Sequence, residues 1–148
     1  MTLDEINFPD VNYGHDNKEK YYELTTNEWS PFIGCEYWEV FIFSMSYAYA
    51  KGIKAEKITG AGSMPSTVFQ IGTRDLMRAL AIDHQLKSGN PHAIDIIKSP
   101  KEYVKLCELY AYAGFKEIYN IIKNNNGENK TNDILMNLIK EISNSRNL

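Results

Sequence analysis

Residues that carry chemistry are scarce in this chain of 148. There are two cysteines and three histidines. Cys35 and Cys107 lie far apart, and no CxxC pair or Cys/His cluster exists, so the ligand spacing of a zinc site is missing. Neither a metal nor a cofactor is expected. Each cysteine falls in an apolar helical pattern, where free thiols are commonly buried. No apolar run approaches the ~20 residues of a membrane span. No two segments are long and regular enough to pair as a sheet. No charged-then-apolar leader and no lipidation motif is present, which makes a reducing cytoplasm the expected compartment and a membrane an unexpected partner.

Positive charge is missing from the front third. Up to Tyr47 there are nine acids and two bases, giving −7; the remaining ten acids and fourteen bases give +4. An acidic face repels nucleic acid and suits a basic protein partner, so a dedicated duplex-DNA binder is disfavoured.

What is present is an ordinary globular composition, 43% hydrophobic and 24% charged, at a length suited to one domain with one sizeable core. The organising stretch is Ser30 to Gly52. Ser30-Pro31 stops whatever precedes it. Glu36 and Glu39 fall in a first turn, Lys51 in a last turn, and Gly52 suits the left-handed position beyond. A helix over Cys35–Lys51 follows. From Val40 to Ala50 only Ser44 and Ser46 are polar, so the helix lacks a solvent stripe and is expected in the middle of a bundle. Its aromatics read as core filling rather than as a stacking platform, because the neighbours are acidic.

Around it, residues 1–13 read as an extended surface arm or a frayed terminus, and Asn17–Leu24 as a short helix after an Asp16/Glu19 capping pair. Residues 53–72 read as an irregular connection. Its Thr59-Gly-Ala-Gly-Ser63 run lacks the pattern of a phosphate loop. Thr73 is placed to cap a helix to Lys87 whose core face holds Leu76, Met77 and Leu80. Asn90-Pro91 opens a short helix. Ser99-Pro100-Lys101-Glu102 starts another, in which Gly114 permits a break or a tight passage and Phe115–Lys123 continues as helix. The expected organisation is a helical core with an arm over 1–123, a polar linker over 124–130 and a terminal helix over 131–148. The fold is thus expected to be all-α: one domain of about five to seven helices around a buried central one.

Three sets of residues are candidates for function. Arg74, Arg78, Lys87, Lys98, Lys101 and Lys105 form the basic set that would meet phosphate; the competing reading for Arg78 is pairing with Asp75. His84, His92 and Asp95 form a His/Asp/His set that suits a metal site or acid–base work, the latter for a small hydrolase or lyase. Ile134, Leu135, Leu138, Ile139 and Ile142 make a narrow apolar stripe on the last helix, able to dock on its own domain, on a second copy or on a partner.

Ser30-Pro31-Phe32-x-Gly34 before an apolar helix, and Tyr110-Ala111-Tyr112-Ala113-Gly114 in a late one, resemble small uncharacterised all-helical prokaryotic proteins from phage-defence and DNA-modification gene neighbourhoods. The likeness covers the middle two-thirds of the chain, and its motifs are structural punctuation without a catalytic residue. What it implies is an accessory role. The leading expectation is therefore a non-enzymatic helical accessory or interaction protein in a larger assembly, with phage defence as the implied setting. A nucleic-acid-binding module is second and the hydrolase or lyase third.

Overall fold

A computed structural model describes residues 8–124 and 131–146, with side chains in the last helix described at 136–141, 143 and 144. Six of the seven residues expected to form a linker, 125–130, lie outside the described residues.

The described chain is all-α apart from one minimal ladder. In order it forms β1 (Val11–Asn12), α1 (Lys18–Thr26), α2 (Tyr37–Lys51), β2 (Ser63–Met64), α3 (Ile71–Lys87), α4 (Pro100–Asn124) and α5 (Thr131–Arg146). Short 3-10 turns lie at His15–Asn17, Ser66–Val68 and Ala93–Lys98. No described helix is long and apolar enough to cross a membrane.

The central helix is where the sequence places it. Glu36 and Glu39 close a reciprocal capping box, with Glu39 Oε1 accepting the Glu36 amide at 2.9 Å. The helix therefore starts at Tyr37, two residues later than expected. Gly52 ends it in the left-handed region at φ 72. No residue from Val40 to Lys51 is exposed. Val40, Phe41, Met45, Tyr47 and Ala48 are fully covered, mainly by α4 and then by α5.

Helix α4 is continuous over 25 residues, Pro100–Asn124. Of the two expectations for Gly114, a break or a tight passage, the helix shows the second. A β-carbon there would lie 2.1 Å from the Ser44 carbonyl oxygen, so Gly114 serves the close crossing of α4 over α2. Ala111 and Ala113 beside it are also buried.

Of the arm, residues 8–13 are described, and three of them turn inward. Phe8, Val11 and Tyr13 are buried, and Val11 pairs antiparallel with Met64. Asn12 Oδ1 accepts the amides of Gly14 and Gly62, each at 2.9 Å. Its side-chain amide donates to the Gly60 carbonyl at 3.2 Å. The small residues of the Gly60–Gly62 run therefore serve the passage of the arm beside this loop: a β-carbon on Gly62 would sit 3.0 Å from the Gly14 oxygen.

Three further boundaries differ from expectation. Helix α3 begins at Ile71 with Gln70 as its cap residue, so Thr73 lies inside the first turn. The Asn90-Pro91 segment yields a 3-10 turn rather than an α-helix. Helix α1 runs two residues beyond Leu24, where Thr25 Oγ1 and Thr26 Oγ1 bond back to the Tyr21 and Tyr22 carbonyls.

Candidate interaction surface

Helix α3 has two apolar faces. The inner one is formed by Met77, Leu80 and Ala81, all buried. The outer one runs Gly72, Leu76, Ala79, Asp83 and Leu86. These steps of four and three alternate as in a coiled-coil seam. Leu76 is 45% exposed and Leu86 61%, and Gly72 and Ala79 are exposed with them. Leu76 thus does not join Met77 and Leu80 in the core, as its neighbourhood in sequence suggested. At 100° per residue it falls on the opposite edge of Leu80 from Met77. Single exposed leucines are ordinary on a protein surface; a heptad-spaced row on one helix is the pattern of a packing face.

Asp83 is the polar member of this row, and it is held in place. The Tyr49 hydroxyl donates to its carboxylate, and Lys87 pairs with it at 2.9 Å. The hydroxyl and then the ammonium hold the Asp83 carboxyl below its ordinary range, while burial and the same carboxylate push the Tyr49 phenol up. Behind it lies a cleft of about 600 Å³ lined by Tyr49, Lys54, His84, Lys87 and Tyr110 among others. There His84 Nδ1 meets the Tyr110 hydroxyl at 2.9 Å, and Tyr49 and Tyr110 pack edge to face at 5.2 Å.

The nominated residues are distributed as follows. Arg74 Nε donates to the Phe69 carbonyl at 2.6 Å and Nη2 to the Ser66 carbonyl at 3.0 Å, while its guanidinium covers the Phe8 ring. Arg78 donates to Asp75 and to the Tyr103 hydroxyl. Both arginines thus hold the chain to itself, Arg78 through the Asp75 pairing that was the competing reading. Lys87 pairs with Asp83, and Lys98 with Asp95 at 3.1 Å. Lys101 and Lys105 instead border a separate cleft with Lys57 and Glu108. His84 is brought to Tyr110, and among the described residues no hydrogen bond joins it to His92 or Asp95. Those two are exposed. No cluster of three or more metal-ligating side chains exists among the described residues.

On α5 the expected stripe is divided. Leu138 is buried at 1% exposure against its own domain, where α5 packs on α2 and Tyr47 Oη donates to Glu141 Oε2 at 2.8 Å. Ile139 is 42% exposed and Met136 52%. The side chains of Ile134, Leu135 and Ile142 lie outside those described.

Two features escaped the sequence reading. The outer row of α3 was legible as small or apolar residues seven apart, Gly72, Ala79 and Leu86, but Leu76 was grouped with its sequence neighbours. Glu108 carried a fainter signal, an acid set between Cys107 and Ala111 in a buried stripe.

The fold and this surface define a small all-α protein with a helix face left exposed among the described residues. No family model matches the chain, and neither a curated protein nor a solved structure matches it.

Proposed function

We propose that the protein is a non-enzymatic helical accessory subunit that docks a partner's amphipathic helix along the outer face of α3. One observation carries this: Gly72, Leu76, Ala79 and Leu86 repeat at heptad spacing on the side of α3 turned away from its own core. Small residues at 72 and 79 allow a helix axis to approach, and the two leucines supply the apolar knobs. Asp83, fixed by Tyr49 and Lys87, is a polar mark in the row. Such marks set register at some cost in affinity. The partner is therefore expected to place a hydrogen-bond donor or a base opposite it. A prokaryotic phage-defence setting belongs to the same proposal and rests on the sequence resemblance alone.

The test is the double variant Leu76→Asp/Leu86→Asp in a tagged co-purification from the native source. Each leucine is expected to contribute about 1.5–3 kcal/mol at a fully desolvated contact, so a partner recovered stoichiometrically with the wild type is lost with the variant. Because both side chains are already exposed, Tm should move by no more than about 2 °C. Light scattering tells a second copy from a different protein. Undiminished recovery of the same partner would sink the reading.

A further inference from the structure

A cleft of about 390 Å³ forms where the arm, the 57–58 loop and α4 meet, within the ordinary size range of small-ligand sites. It stands apart from the α3 face. Its floor is apolar, from Ile58, Val104 and Leu109. Three lysines line it: Lys101 and Lys105, one turn apart on α4, and Lys57 from the loop. Lysines elsewhere in the molecule are commonly engaged: Lys51 with Glu141, Lys87 with Asp83, Lys98 with Asp95, Lys116 with Glu56 and Lys123 with Glu23. Among the described residues Lys57, Lys101 and Lys105 make no such pair. Like charges gathered around one concavity raise the local potential for an anion.

Glu108 closes one end. Its Oε2 accepts the Asn12 amide at 2.7 Å, which fixes the carboxyl between arm and helix. The other acid of the cleft, Asp10, is turned to the Ser66 amide at 2.9 Å.

We propose that this cleft binds a small amphipathic anion, its oxyanion head among Lys57, Lys101 and Lys105 and its apolar body against Ile58, Val104 and Leu109. Glu108 then governs the pH response. The charged groups around it are Asp10 on the arm, Lys57 on the loop, and Lys101 and Lys105 on its own helix. Burial pushes the Glu108 carboxyl up to about 7, against the lowering effect of the Asn12 amide and Lys105. Protonated, it donates to the head; ionised, it repels it. Affinity is therefore highest on the acid side and falls as pH rises through neutrality.

The probe is 8-anilinonaphthalene-1-sulfonate, whose head keeps its charge across this range, titrated by fluorescence into the full chain. Its uncharged analogue N-phenyl-1-naphthylamine is the control for the head. Saturable binding is expected to weaken about fivefold from pH 6 to pH 8, the effect of raising one such carboxyl by about one unit on binding. Glu108→Gln should hold the pH 6 affinity at both values. Lys101→Gln/Lys105→Gln, at exposed positions where folding is not at risk, should weaken binding at least about tenfold. Equal binding of the uncharged analogue, or full affinity in the double lysine variant, would overturn the proposal. So would no saturable binding at all. The lysine variant keeps the test decisive should Glu108→Gln fold poorly.

Discussion

At position 114 a single missing methyl group decides how the two longest-buried helices meet. The Ser44 carbonyl fills the space that a side chain would need, and it is part of a helix backbone that cannot yield cheaply. Gly114→Ala relieves the low helix propensity of glycine, worth about 1 kcal/mol, but forces α4 off α2. Overpacking costs about 1–3 kcal/mol, and more where backbone must move. The net expectation is a Tm about 5 °C or more below wild type by circular dichroism. An unchanged Tm would mean that the crossing is looser than 2.1 Å implies. Arg74 makes the same point for charge: a side chain nominated for phosphate is spent on two carbonyls and a phenyl ring that only the folded chain brings to it.

Among elements, α5 separates packing from exposure within one turn. Leu138 and Ile139 are neighbours in sequence, yet one is buried and the other open. Leu138→Ala is expected to cost about 2–4 kcal/mol in urea unfolding, as buried leucines do. Ile139→Ala should stay within about 0.5 kcal/mol. Equal effects would mean that α5 does not dock on α2 through this face. The end of α2 is readable from Gly52, whereas its start, set by the Glu36/Glu39 box, falls two residues later than the sequence suggests. The start of α3 at Ile71 is not readable in this way, because two extended residues, Phe69 and Gln70, lead into the helix without a side-chain cap.

Over the whole molecule, folding partly erases the charge division of the chain. Glu23, from the acidic front, meets Lys123 at 2.7 Å and the Tyr119 hydroxyl at 2.6 Å. Asp16 receives the Tyr112 hydroxyl at 2.7 Å. The basic set shrinks in the same way, with Arg74, Arg78, Lys87 and Lys98 all engaged within the chain. With Lys57, Lys101 and Lys105 as the cluster left over, any binding to labelled duplex DNA should show a log–log salt slope no steeper than about −3, at ~0.9 per phosphate neutralised. A slope near −6 would restore the nucleic-acid reading.

The order of residues alone determined the fold class and the central helix with its end at Gly52, because these depend on hydrophobic periodicity and on bonds that span three or four positions. It also determined that the 110–114 run is rich in small residues. Only the tertiary structure decided between a break and a close crossing at Gly114, and that Phe8, Val11 and Tyr13 of the arm are buried in the core. It alone decided that Leu76 and Leu86 face away from the core and that Glu108 shares a cleft with lysines from two separate segments. Each of these depends on which element arrives from a distant part of the chain, and no local propensity encodes that arrival.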